Sequence, residues 1–341
     1  TFLLNRGKYD APTKQVFPNT PEKILPFSNQ LPKSRYGLAQ WLTDARNPLT
    51  ARVAINHLWQ NFFGKGLVKT AEDFGNQGEM PSHLNLLDWL AIELRDNNWD
   101  IKKINKLMVM SATYQQDSKA SGMLMEKDPE NKLLARGPSI RLSAEMIRDN
   151  ALVASGLLNK ELGGKSVYPY QPEGLWEING TKYNQDSTDQ VYRRSLYIIL
   201  KRTVPNPTLA NFDGPSRASC VVRRQSTNTP LQALVTLNDP TFIEAAKVIG
   251  ESITKQQNTT AAIGLAYRQL TGITPTSKQI ALLSAMQQTE YNKFKANPTK
   301  IKGWINTGLY KINTTLDPYW VAANSVVAST ILNSDATITK R

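Results

Sequence analysis

Cysteine is nearly absent: Cys220 stands alone in 341 residues. A single thiol excludes an intrachain disulfide and cysteine-rich zinc sites, and without a C-x-x-C-H no haem can be attached covalently within this chain. Cys220 itself reads as a buried structural thiol. Histidine is almost as scarce, with His57 and His83 only, too few for most histidine metal sites unless carboxylates complete the shell. No apolar run approaches the roughly 20 residues a membrane helix needs. The chain opens Thr1-Phe2-Leu3-Leu4 without an initiator Met or the basic start, apolar centre and cleavage site of a signal peptide, so it reads as a piece of a longer precursor. Also missing are the G-x-S-x-G elbow, the phosphate-binding Walker loop, the H-E-x-x-H zinc helix and the dinucleotide fingerprint.

Charge is present and one-sided. The net value is +13, which asks for a polyanionic partner. The basic residues are spread out, with ten Lys/Arg against three Asp/Glu over residues 1–70 and seven against one over 191–225. No basic block, zinc finger, basic zipper or RNA-recognition signature accompanies them, so nucleic acid is not the expected partner.

The pattern is mostly α. Residues 1–34, with five Pro and little periodicity, form an extended lead-in. Residues 35–341 follow as a single mostly helical domain: helical over 35–160, a loop-rich insertion with a few short strands over 161–225, and helical again over 226–341. Asn47-Pro48 caps a helix that Gly64 closes, and residues 64–78 form a glycine-punctuated loop. Leu84, Leu87, Leu90, Ala91 and Leu94 then make one apolar stripe. Residues 163–190 read as a long loop, and Tyr192–Leu200 is the best strand candidate. Thr229-Pro230-Leu231-Gln232 spells a capping box with Pro at the first helical position. Further helices start at Asp239-Pro240, near Ala261, at Thr276 and at Asp317-Pro318.

The strongest chemical signal lies just ahead of that box. Arg193, Arg194, Arg217, Arg223 and Arg224 flank the strand candidate and the helix start at Thr229, where the helix dipole favours negative charge. Guanidinium forks suit sulfate, phosphate and carboxylate geometry. Within the preceding loop, Trp176 and Tyr170 could stack on a sugar face. Glu173 and Glu177 bracket Gly174-Leu175-Trp176, and paired carboxylates beside aromatic rings are the recipe for glycoside hydrolysis. A His57/His83 pair with Glu72, Asp73 or Glu79 could bind a metal or shuttle a proton; no metal is expected, since the two histidines read more readily as helix-flank and helix-start residues.

Several longer segments carry a resemblance. NPLTARVAINHLWQNFFGKGLVKTAEDFGNQGEMPSHLNLLDWLA, SATYQQDS, ENKLLARGPSIRLSAEMIRDNAL, YQPEGLW, FDGPSR and RRQSTNTPLQALVTLNDPTFIEAA resemble the cytochrome-associated domain of unknown function 1553, or PSD-one, found in planctomycetes and their relatives. The resemblance implies the C-terminal module of a larger exported protein, periplasmic or extracellular. It also implies a partner domain of unknown function 1549 and a cytochrome domain holding haem in another segment, with no cofactor in this chain. His57 departs from the family pattern, in which Arg is commoner, and the family brings no established catalytic residues.

Three functions follow as expectations. The first is a module that binds or helps process an acidic, sulfated glycan through Arg193, Arg194, Arg217, Arg223, Arg224 and Thr229, with Trp176 and Tyr170 against the sugar. The second is a redox module working with a cytochrome domain in sugar oxidation, with Glu173, Asp213 or His83 as base. The third is a helical scaffold without chemistry.

Overall fold

Helices form where the sequence supplies a cap and an apolar stripe. The computed structural model describes residues 1–177 and 180–341; Ile178 and Asn179, inside the expected loop, lie outside the described residues. The lead-in begins with an exposed antiparallel hairpin, β1 (Phe2–Leu4) with β2 (Pro12–Gln15). It continues without regular structure to α1 (Arg35–Leu42), whose Trp41 is buried and donates to the Leu25 carbonyl at 2.8 Å. Next come α2 (Thr50–Phe63), α3 (Leu84–Asp96), α4 (Ile101–Val109) and the short α5 (Gly122–Lys127). Asn47 Oδ1 accepts from the amides of Leu49 and Thr50, and Gly64 at φ 80° ends α2, both as the sequence implies.

Residues Thr1–Pro138 form one compact unit and Ser139–Arg341 a second. In the first unit Ile55 and Trp59 of α2 meet Leu87, Leu90 and Leu94 of α3 and Ile104 and Met108 of α4. Leu84 is exposed, outside this core. Asn56, fully buried, closes the following loop by exchanging hydrogen bonds with the Val68 backbone at 2.9 and 2.8 Å.

The second unit contains β3 (Ile140–Arg141), α6 (Ala144–Ser155), α7 (Pro207–Asn211), α8 (Pro230–Asn238) and α9 (Pro240–Thr254). After them come α10 (Thr259–Thr271), α11 (Ser277–Ala296), α12 (Lys302–Ile305), α13 (Pro318–Leu332), α14 (Asp335–Ile338) and β4 (Thr339–Lys340), which pairs with β3. Its core joins Phe242, Ala246 and Ile249 of α9 to Val327 and Ile331 of α13 and Ile263 of α10. The α9–α13 crossing is close because Gly250 has no side chain; a Cβ there would stand 2.6 Å from the Ser325 amide.

Two local expectations are corrected. Tyr192–Leu200 is not a strand. It follows a 3-10 turn at Asp189–Tyr192, contains another at Ser195–Tyr197, and bridges to other backbone at isolated positions, Asn159 with Arg193 and Val167 with Ile198. The reason is competition from side chains. Arg148 of α6 donates to the carbonyls of Arg193 (2.9 Å) and Val191 (2.5 Å), and Asp149 accepts from the Ser195 amide at 2.8 Å, so backbone groups a strand partner would use are taken. The capping box at Thr229 is also absent. The helix starts there, but Thr229 makes no side-chain cap. A capping box does form at Thr276, whose hydroxyl accepts from the Gln279 amide while its own amide donates to Gln279 Oε1.

Candidate functional site

The basic segment becomes an exposed loop tied at its ends. Arg141 of β3 donates to Asp213 Oδ2 and the Thr227 carbonyl, and to Gln232 Oε1 at 3.1 Å. Asp213 in turn accepts from the Thr227 amide and hydroxyl, each at 2.9 Å. Gln232, buried on the first turn of α8, donates to the carbonyls of Asn211 (2.9 Å) and Thr227 (3.1 Å). This use of Gln232 is why no capping box forms. The knot pins residue 213 to residue 227 and fixes where the intervening loop emerges. One further strut, Arg224 to Glu145 at the start of α6, is bidentate at 2.5 and 3.1 Å.

Between these anchors, residues 216–224 are exposed. Arg217 stands at φ 57° and Cys220 is exposed rather than buried. Val221 and Val222 are 49% and 42% exposed. Arg223 is exposed too. The loop runs into α8, which starts at Pro230 without a side-chain cap, so the positive end of the helix dipole lies at the loop's C-terminal end.

The knot makes the loop acid-sensitive. Burial raises the Asp213 carboxyl, but the Arg141 guanidinium and Thr227 outweigh it and hold the group below its ordinary range. A carboxyl depressed by folding contributes stability above its unfolded value, near 4, and loses it as pH falls further. Protection of residues 214–226 against hydrogen exchange, taken relative to the intrinsic exchange rate at each pH, is therefore expected to fall as pH drops from about 5 to about 3. In Asp213→Asn that protection should be low already at neutral pH and change little with pH. An acid-insensitive loop in the parent would contradict the knot's role.

The remaining sequence-derived residues are scattered. Arg193, 1% exposed, donates to the carbonyls of Lys165 and Glu161, each at 3.1 Å, and to Gly163, and its guanidinium lies 3.9 Å from the Tyr197 ring centroid. It fastens the loop-rich insertion and presents no free fork. Arg194 is partly buried with its Nε unpartnered. Trp176 packs edge-on to Tyr168 (6.0 Å) and Tyr183 (5.0 Å), and Lys201 Nζ lies 4.6 Å from its ring, an internal cluster that pins the insertion. Glu173 and Glu177 are exposed. His83 lies in the first unit at the N-cap of α3, its Nδ1 3.1 Å from Ser82 Oγ. Among the described residues no group of three His, Cys, Asp or Glu could hold a metal ion.

Tyr170 leads to a network that sequence reasoning missed. Its hydroxyl donates to Glu244 Oε2 and that of Tyr192 to Glu244 Oε1, both at 2.8 Å, while the Tyr310 amide donates to Oε1 at 2.5 Å. Burial first, and then the Glu244 carboxylate, push both tyrosines well above their usual range. One turn on, Lys247 Nζ donates to the carbonyls of Thr307 (2.5 Å) and Tyr310 (2.6 Å), and burial pushes that lysine down. Glu251 accepts from the Asn313 amide and the Tyr310 hydroxyl, each at 3.1 Å. These three charges, each at most 2% exposed, clasp the segment 307–313 to α9. The available signal was three charges spaced i, i+3, i+7 on a helix otherwise fit for a core.

A family model described as a protein of unknown function, PSD1 (DUF1553), matches residues 34–287. No curated protein and no solved structure matches the chain. No described helix is long and apolar enough to cross a membrane.

Proposed function

Because the chain belongs to the PSD1 family of unknown function (DUF1553), we propose its role from its own surface: it binds the anionic groups of an acidic, sulfated polysaccharide through the basic loop ahead of α8, and carries out no reaction itself. The observation that supports this most is the knot of Arg141, Asp213, Thr227 and Gln232, which holds an otherwise exposed arginine-bearing loop beside an uncapped helix start. Rigid scaffolds that display exposed loops are the usual basis of recognition, and guanidinium groups with helix amides suit sulfate oxygens. The contact residues are Arg217, Arg223 and the first turn after Thr229. Arg224 shares its charge with Glu145, and Arg193 supports the fold instead.

Catalytic readings have less support from the surroundings of their candidate bases. Asp213 is committed to the knot, Glu173 is exposed in the insertion, and His83 stands at the start of α3 with Ser82 Oγ as its hydrogen-bond partner. The proposed setting is outside the cytoplasm, beside the 1549-type and cytochrome domains the family resemblance implies, with any haem in those segments.

Calorimetric titration with a sulfated polysaccharide and its chemically desulfated counterpart tests the reading. Binding is expected only to the sulfated polymer, weakening as salt rises. Arg217→Ala with Arg223→Ala should reduce affinity about tenfold, as expected for two exposed charge contacts. Equal affinity for both polymers, or a double variant that binds like the parent, would reject it.

A further inference from the structure

The first unit contains a pocket of about 130 Å³ between the C-terminal turn of α2, the loop after it and residues 130–134. Trp59, Phe63 and Leu134 give it an apolar wall. At its polar wall three ammonium groups crowd one carboxylate: Lys69 at 3.2 Å, Lys65 at 3.3 Å and Lys132 at 3.7 Å from Glu130. Glu79, 3.7 Å from Lys69, is the other acid lining the pocket. Three cations against two carboxylates leave one positive charge unmatched. Stability does not explain the arrangement. These side chains are 36–53% exposed, where ion pairs contribute little and lysines held together repel one another.

A second feature lies at the same pocket. Asn131, which also lines the pocket, donates from Nδ2 to the Arg136 carbonyl at 2.8 Å, while its Oδ1 is buried and accepts nothing. Turning the amide over would set two oxygens face to face, so the orientation is fixed and an acceptor is left over. A ligand suited to the wall carries one oxyanion for the lysines, and a hydroxyl beside it reaches Asn131 Oδ1 once a small shift of the covering wall uncovers that oxygen. At about 10–15 Å³ per water-sized centre the pocket has room for on the order of ten, comparable with the non-hydrogen atoms of one sugar ring.

We propose that this pocket binds a single acidic sugar unit, a hydroxylated ring bearing one carboxylate or one sulfate ester, with the oxyanion among Lys65, Lys69 and Lys132, a hydroxyl toward Asn131 and the ring against Phe63. Ammonium groups act as point charges and accept either oxyanion. The site shares no residue with the loop ahead of α8 and stands independently of the polymer-binding role proposed for that loop.

Titration of the whole chain with glucuronate, glucose 6-sulfate and glucose, followed by calorimetry or ligand-observed magnetic resonance, tests it. One or both acidic sugars should bind with Kd on the order of 1 mM, and glucose should not bind. The stronger of the two acidic arms identifies the natural oxyanion. Lys132→Ala, half-exposed and thus tolerated by the fold, should weaken binding about tenfold. Glu130→Gln should strengthen it several-fold by removing the competing carboxylate, an effect a purely structural role would not produce. Arg217→Ala with Arg223→Ala should leave it unchanged. Equal binding of glucose, no binding of either acidic sugar, or affinity unaffected by both pocket substitutions would overturn the proposal.

Discussion

Glu244→Ala is expected to destabilise the second unit by roughly 3–5 kcal/mol, the range for removing one member of a buried charged network. The carboxylate is fully buried, and three donors converge on it from residues 170, 192 and 310. Alanine would leave two phenol hydroxyls and one amide without an acceptor in a space that water does not readily enter. Glu244→Gln should cost less, because one oxygen still accepts while the amide nitrogen meets a phenol that can turn to accept. Tyr170→Phe removes one hydroxyl that bridges Glu244 and the Leu309 amide at 2.9 Å, and about 1–2 kcal/mol is expected. Gly308 provides an independent check. It sits at φ 79°, and an added Cβ would stand 2.2 Å from Glu244 Cδ, so Gly308→Ala combines a left-handed penalty with a clash. Urea denaturation followed by far-ultraviolet dichroism reads all four variants. A Glu244→Ala midpoint within experimental error of the parent would show that the carboxylate is not what closes the 307–313 segment onto α9.

The second large effect is expected at Arg193, and it separates the role seen in the fold from the one the sequence suggested. Arg193→Ala should cost about 3 kcal/mol, since carbonyls of Glu161, Gly163 and Lys165 lose a charged donor and the Tyr197 ring loses its guanidinium cover. For a body of this size that is roughly 6–12 °C in melting temperature. Lysine cannot replace the fork, because one ammonium does not span three carbonyls. Arg217→Ala, on the exposed loop, should stay within about 0.5 kcal/mol of the parent while weakening binding to sulfated polymer. The opposite pattern, a stable Arg193→Ala that fails to bind polymer, would return Arg193 to the recognition surface.

Arg193 and Arg217 look alike in the sequence as members of one basic stretch, 191–225. What separates them is distance along the chain. The partners of Arg193 lie about thirty residues away, in the Gly163-Gly164 stretch, and their positions depend on how the insertion folds back on α6. Tyr170 and Trp176 were legible as aromatics able to cover a sugar. Their rings and hydroxyls are instead used by Glu244, 74 residues from Tyr170, and by Tyr168 and Tyr183. Side chains with large apolar area and a polar tip are as useful inside a fold as at its surface, so residue type alone could not decide between the two.

The sequence by itself marked several of the helix ends. Asn47, Gly64, Asp239, Thr276 and Asp317 act within four residues of their own position, and the bonds they make appear as their letters imply. It also marked 163–190 as a stretch that no periodic core face claims. Tertiary structure alone decided which charges are interior fasteners and which are displayed: Glu244 and Arg193 inside, Arg217 outside, Asp213 in a knot. A buried charge is tolerated only where distant backbone and side-chain groups converge to replace its lost water, and that convergence is a property of the folded chain rather than of any local run of residues.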